Sequence, residues 1–157
     1  MDPFEHLTSM TIGFLSAVVT RKGIAEDLGL LSCQKVTTAF AAYLVDSMQD
    51  STTYPMAVFK YHGSGTGTTA EANSQTALVT EVETRATGTT IEGASANIYK
   101  SVATQAYTDT RAIAEHGLFS ASSAGTMLDR SLLGTVVNVE NTDEIEWTYQ
   151  LTVSAEA

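Results

Sequence analysis

The residues that could carry chemistry include a glycine-rich stretch in the middle of the chain. Residues 63–69 read Gly-Ser-Gly-Thr-Gly-Thr-Thr and follow a predicted strand, as phosphate-binding loops do. No lysine follows the last glycine to neutralise a phosphate group, and Thr68 displaces the third glycine of a dinucleotide fingerprint. The stretch therefore predicts a tight turn where backbones approach closely, rather than a phosphate or cofactor site.

Histidine and cysteine side chains are the next candidates, because they ligate metals and move protons. His6, His62, His116 and Cys33 are the members of this set, and no two of them have the short spacing of a metal site. Glu115 and His116 are neighbours in a predicted strand, so their side chains point to opposite faces. We expect no metal site, and a buried or interfacial His116 that is hydrogen-bonded by backbone.

The remaining polar residues show no catalytic pattern. Asp129 and Arg130 are adjacent, which we interpret as a local charge pair or an interface contact. Ser64 lies off-centre between glycines, so it does not form the Gly-x-Ser-x-Gly elbow of a hydrolase. Nothing singles out a carboxylate pair for glycoside hydrolysis among the 18 Asp and Glu residues. The sequence predicts no catalytic, cofactor-binding or metal-binding residues, and we expect that the protein is not an enzyme.

Composition limits the kinds of partner. The 157 residues include 8 Lys and Arg against 18 Asp and Glu, which gives a formal net charge of −10. This length suits one domain with a core that needs neither disulfide nor metal, and the lone Cys33 favours assembly in the cytosol. So few basic residues make nucleic acid and anionic membranes unexpected partners. The N-terminal apolar run, residues 12–19, is also far shorter than the roughly 20 residues that span a bilayer.

The elements that must position these residues fall into three parts. Residues 1–34 mix apolar residues with glycines at no sustained period, which predicts an N-terminal arm that docks on its own domain or on a neighbouring subunit. Residues 35–50 carry apolar side chains at helical spacing, namely Val36, Phe40, Tyr43, Leu44 and Met48. Ser32, Thr37 or Thr38 could cap this helix. Its apolar stripe is predicted to cover the open end or a face of a sheet.

The rest of the chain is typical of strands. Residues 144–153 alternate strictly between apolar and polar side chains, which predicts a half-buried strand with Trp147 facing the core. Six further candidate strands, separated by turn-forming residues, are 56–61, 77–83, 86–91, 97–107, 110–119 and 126–139. We predict a mainly β domain over residues 35–157, an antiparallel β-sandwich or barrel of about seven or eight strands with an N-terminal arm and one packed α-helix.

Several segments occur in an order that resembles a known family. They are Lys60-Tyr-His-Gly63, Gly65-Thr-Gly-Thr-Thr-Ala-Glu-Ala72, Thr76-Ala-Leu-Val-Thr-Glu81, Arg85-Ala-Thr-Gly-Thr89, Ala114-Glu-His-Gly-Leu-Phe-Ser120 and Leu128-Asp-Arg130. With the closing alternating strand, these segments resemble a family of small structural proteins of tailed bacteriophages over roughly residues 35–153. The family often has Gly-Asp before its last strand, where this chain has Thr142-Asp143. The resemblance implies a non-enzymatic virion protein.

The acidic charge and the resemblance together favour a capsid decoration (cement) protein on the outer capsid surface, assembled in the host cytoplasm. The expected partners are the major capsid protein and further copies of the chain, and a trimer would suit the three-fold positions of an icosahedral shell. A tail, neck or fibre component is an alternative. A carbohydrate-binding host-recognition module that uses Trp147, Tyr99 or Tyr107 is a further one, disfavoured because alternation turns Trp147 toward the core.

Overall fold

The computed structural model describes residues 11–34 and 36–153. Strands dominate this part of the chain, and a single α-helix and a short 3₁₀ turn interrupt them. In chain order the elements are β1 (Thr11–Arg21), β2 (Ile24–Gln34), α1 (Thr38–Gln49), a 3₁₀ turn (Met56–Val58), β3 (Tyr61–Gly65), β4 (Glu81–Thr87), β5 (Thr89–Glu92), β6 (Ile98–Ala106), β7 (Arg111–Phe119), β8 (Met127–Val139) and β9 (Glu144–Val153).

The strands form two antiparallel sheets that pack face to face. The five-stranded sheet has the order β2-β1-β9-β6-β5, and the four-stranded sheet has the order β4-β3-β7-β8. The predicted class, a mainly β antiparallel sandwich with one packed helix, is confirmed. The described residues hold nine strands rather than seven or eight, because the N-terminal segment supplies two of them.

The segment predicted as an N-terminal arm is part of the sandwich over its described residues. β1 pairs with β9 along its whole length, from Thr11 opposite Val153 to Thr20 opposite Glu144, and its other edge pairs with β2. Residues 11–34 therefore dock on their own chain as two strands of the larger sheet, which corrects the boundary drawn at residue 34. Residues 1–10 of the predicted arm lie outside the described residues.

The alternation that marks β1 as a strand is real but hidden in the sequence. Leu15, Ala17 and Val19 are buried at every second position, while the residues between them are half-buried. Val18, one of those intervening residues, and Phe14, which precedes Leu15, are also apolar, so the period of two does not stand out. A strand inside a sheet that is partly covered on both faces loses the contrast between its two sides.

The predicted helix over 35–50 is confirmed as α1, which begins slightly later; Lys35 lies outside the described residues. Of the three proposed caps, Thr37 is the one used, since its hydroxyl accepts a hydrogen bond from the Phe40 N–H at 3.0 Å. Phe40 is buried, while Leu44 is 38% exposed and Met48 is 82% exposed. The apolar stripe therefore covers one end of the sandwich through its first half and continues into solvent.

The later strands agree with prediction to differing degrees. The last strand has the predicted bounds, and Trp147 is fully buried on its inner face. The predicted strand over 56–61 begins instead as the 3₁₀ turn, and β3 starts only at Tyr61. The predicted strand over 77–83 starts only at Glu81, because the preceding residues belong to a loop over 66–80.

That loop explains why the four-stranded sheet is covered on both faces. The inner face of the four-stranded sheet meets the five-stranded sheet through a core that includes Leu15, Ile113 and Trp147. On the outer face of the four-stranded sheet, Leu78 of the loop packs against Phe119 and Met127. As a result, β7 is buried along nearly its whole length, so side chains on both of its faces lie in the interior.

Candidate functional site

A chain of polar side chains crosses the interior between the two sheets. His62 of β3 contacts His116 of β7, with Nδ1 and Nε2 of the two rings 3.0 Å apart. On its other side, Nε2 of His62 lies 2.8 Å from the Ser101 hydroxyl of β6. Pairing of β3 with β7 brings the two histidines together, although 54 positions separate them in sequence.

The expected partner of His116 was backbone, and the structure corrects this, because its hydrogen bond runs to another imidazole. The ring of His116 also packs against the Trp147 indole, with centroids 4.8 Å apart. Within the described ranges, Nδ1 of His116 has no hydrogen-bond partner. The expectation that His116 and Glu115 point to opposite faces is confirmed, since His116 faces the other sheet and Glu115 faces the loop over 66–80.

Burial sets the protonation of this histidine pair. Removal from water lowers the pKa of His62 to about 3, and burial together with the neighbouring His62 lowers the pKa of His116 well below its usual range. Both rings are therefore neutral near pH 7.

A serine beside an imidazole is the arrangement of a nucleophile and its base. Here Ser101, His62 and His116 are all 0% exposed, so no substrate reaches them in this structure. We interpret the group as a structural hydrogen-bond chain.

A second set of polar side chains lies in the same interior between the two sheets. The Tyr107 hydroxyl lies 2.9 Å from the Ser64 hydroxyl and 3.3 Å from Oε1 of Gln105. That same oxygen accepts a hydrogen bond from the Trp147 indole N–H at 3.2 Å. Each of these polar atoms is satisfied by another side chain, which fixes the register of the facing strands rather than leaving a group free for a ligand.

Asp129 and Tyr149 form a third buried group beside α1. Asp129 is 0% exposed, and burial raises its pKa to about 7. Burial and the adjacent Asp129 raise the pKa of Tyr149 above its usual range. Neither side chain makes a hydrogen bond of good geometry within the described part of the chain. A Cβ added at Gly13 would lie 2.5 Å from the Tyr149 hydroxyl and 2.8 Å from Oδ2 of Asp129, so glycine is needed there.

The interpretation of Asp129 and Arg130 as a local charge pair is wrong, because successive strand residues point to opposite faces. Arg130 lies on the outer face of β8 and pairs instead with Glu115, with Nε and Oε2 2.6 Å apart. Their side chains are 1% and 0% exposed. Asp129 points the other way, into the interior beside Tyr149.

Glu115 and Arg130 together hold the loop over 66–80, and we call this pair the Glu115 clamp. The Glu115 carboxylate accepts hydrogen bonds from the backbone N–H groups of Gly67, Val79 and Thr80 at 3.0, 3.1 and 2.8 Å. Arg130 donates to the carbonyl oxygen of Thr69 at 2.9 Å. These four hydrogen bonds, made by a buried ion pair, fasten the loop to the sheet.

The glycine-rich stretch over 63–69 lies under this clamp. A Cβ added at Gly65 would lie 2.5 Å from both Glu115 Oε1 and the Thr80 carbonyl oxygen. At Gly67 it would lie 2.5 Å from Glu115 Oε1. The predicted tight turn is wrong over residues 63–65, which belong to β3, whereas the predicted close approach of backbones is confirmed between Gly65 and Thr80. The backbone N–H of Gly67 is directed to a carboxylate of the chain itself.

The arginine side chains are not free to bind anions. All four arginines pair with carboxylates of their own chain: Arg21 with Glu26, Arg85 with Glu81, Arg111 with Asp109 and Arg130 with Glu115. Among residues 11–34 and 36–153, no three His, Cys, Asp or Glu side chains come together as metal ligands. His6 lies outside these ranges, and Cys33 is exposed and free.

An apolar groove opens at the end of the sandwich beside α1. It has a volume of about 430 Å³, and apolar side chains make up nearly all of its lining. The lining residues include Leu44, Phe59, Leu128, Leu151 and Val153. The sequence indicates α1 but not this groove, because its walls come from five separate parts of the chain.

Comparison with protein families, with curated proteins and with solved structures finds no match to this chain. None of the helices in the described ranges has the length and apolar character needed to cross a membrane.

Proposed function

We propose that this chain is a non-enzymatic structural protein of a tailed-bacteriophage virion, most specifically a decoration protein that binds the major capsid protein on the outer capsid surface. One observation carries the non-enzymatic part of the proposal. Of the candidate side chains that the described structure brings together, His62, His116, Ser101 and Glu115 are all 0% exposed and are bonded to one another or to structural partners. The phage part is supported by the resemblance of the segments between Lys60 and Arg130.

Exposed apolar side chains supply surfaces suited to protein partners. One group lies on α1, where Val45 is 53% exposed and Met48 is 82% exposed. A second lies where β2 runs beside β8, with Leu30 at 60% and Val136 at 44%. Apolar surface on a small acidic sandwich favours contact with other proteins over contact with nucleic acid.

The carbohydrate-binding alternative is weakened, because the aromatic residues it depends on are not available. Trp147 and Tyr107 are buried in the core. Tyr99 is half-buried and donates a hydrogen bond through its hydroxyl to the Phe59 carbonyl oxygen. Sugar rings stack on exposed aromatic faces, and neither Trp147 nor Tyr107 offers one.

Particles assembled with and without the protein test the proposal. A decoration protein is present in many copies, and particles without it release their DNA at a lower temperature. Adding back the purified chain restores heat resistance. Equal heat resistance in both kinds of particle would overturn the decoration role, and fewer than a few dozen copies per particle would favour the tail, neck or fibre alternative instead.

Two matched variants locate the capsid-binding surface. Met48→Glu places a charge on the exposed apolar end of α1, whereas Thr104→Glu places the same charge on the exposed outer face of β6. If α1 contacts the shell, Met48→Glu prevents rebinding and Thr104→Glu does not. Rebinding by both variants would remove α1 from the interface.

A further inference from the structure

The apolar groove beside α1 lies next to the point where the described chain begins. Thr11, the first described residue, is paired with Val153, and Val153 lines the groove. An extended chain covers up to about 3.5 Å per residue, so Leu7 can lie up to about 14 Å from Thr11 and Phe4 up to about 24 Å. Residues 1–10 are therefore within reach of the groove on their own chain.

The chemistry of residues 1–10 suits this groove. Their large apolar side chains, Phe4, Leu7 and Met10, recur at every third position among polar and charged residues. The groove is lined almost entirely by apolar side chains, including the partly exposed Leu44 and Val153. It offers apolar contact and no charged partner, so a segment with spaced apolar side chains and solvated polar ones between them is complementary to it.

We propose that residues 4–10 dock in the apolar groove of their own chain, with Phe4 and Leu7 against the walls formed by α1 and the end of β9. Docking on the same chain is favoured because the segment is tethered within reach of the groove. The tether gives an effective concentration in the millimolar range, far above that of a second copy in dilute solution. The inference does not depend on the virion assignment.

A disulfide test uses the whole chain with Cys33→Ser, since Cys33 is the only cysteine and is exposed. The test pair is Leu7→Cys with Leu44→Cys, which lies in the groove wall. The control pair is Leu7→Cys with the native Cys33 kept and Leu44 unchanged, since Cys33 is exposed, lies opposite Phe14 and is not part of the groove lining. Phe14 is three residues from Thr11, so an undocked residue 7 reaches Cys33 as well as the groove, and only docking favours the test pair.

Under mild oxidation we expect the test pair to close an intramolecular disulfide at least about tenfold faster than the control pair, at a rate independent of protein concentration. Equal rates for the two pairs would overturn the proposal. Disulfide-linked dimers as the main product of the test pair would also overturn it, because the groove would then hold a second copy.

A second measurement needs no cysteine. Phe4→Ser with Leu7→Ser should uncover the groove and raise the fluorescence of a naphthalene sulfonate dye severalfold, while Thr8→Ala with Ser9→Ala leaves it unchanged. Emission from the buried Trp147 reports that each variant stays folded. Unchanged dye fluorescence in the folded Phe4→Ser, Leu7→Ser variant would contradict the docked segment.

Discussion

Replacing Glu115 with glutamine should destabilise the fold strongly, because Glu115 is the centre of the Glu115 clamp. Its carboxylate accepts three backbone hydrogen bonds and pairs with Arg130 at 2.6 Å, with both side chains essentially inaccessible to water. Removing one member of a buried ion pair costs about 3–5 kcal/mol, since the other charge is left uncompensated. For a chain of this size, that corresponds to a fall in Tm of about 6–20 °C.

Urea unfolding followed by Trp147 fluorescence measures the loss, because Trp147 is the only tryptophan and is fully buried. Glu146→Gln is the matched control, since Glu146 is exposed on β9 and should change stability by no more than about 0.5 kcal/mol. Combining Glu115→Gln with Arg130→Met should cost less than the sum of the single changes. A loss below about 1 kcal/mol for Glu115→Gln would refute the clamp as a stabilising feature.

Three further outcomes are expected. Gly65→Ala should cost about 1–3 kcal/mol, because its methyl group would lie 2.5 Å from a backbone carbonyl oxygen, whereas Gly134→Ala, with its nearest atom at 3.7 Å, should leave Tm nearly unchanged. Burial raises the pKa of Asp129 to about 7, so the stability contributed by its neutral form is lost as pH rises from about 4 to 7. The gain from Asp129→Asn in urea unfolding should therefore be up to about 3 kcal/mol larger at pH 8 than at pH 5; an equal gain would contradict this. In that variant, acidification from pH 7 to pH 4 should cost at least about 3 kcal/mol, because the pKa of His62 is about 3 when folded and near 6.5 when unfolded. A flat stability profile over that range would contradict the neutral, buried His62.

The elements that could be predicted are those in which apolar and polar residues follow a regular spacing without interruption. In β9, polar residues such as Glu146 and Thr148 separate the apolar ones at every step, so both its bounds and the burial of Trp147 follow from sequence. In β6 the pattern of apolar and polar residues does not identify the buried positions, because these include Ser101 and Gln105. Their burial depends on hydrogen-bond partners supplied by other strands, which hydropathy does not report.

The spacing of residues in the sequence does not show which buried polar side chains contact one another. His62 and His116 meet because β3 and β7 are neighbours in one register, and a shift of one residue would turn each ring to the opposite face. Glu115 holds a loop that lies 35 to 48 positions earlier in the chain. A signal was present in the run of closely spaced glycines, whose close backbone approach was predicted, but the sequence does not identify the carboxylate that they approach.

The pairing of β1 with β9 has a consequence for how the protein is made. As the ribosome releases the chain, the β1–β2 hairpin emerges before β9, which pairs with the second edge of β1 and is the last of the described strands to be released. Until then, the nascent chain presents an open strand edge that other unfinished chains can pair with. Synthesis that pauses before residues 144–153 should therefore be the step at which this protein is most prone to aggregate.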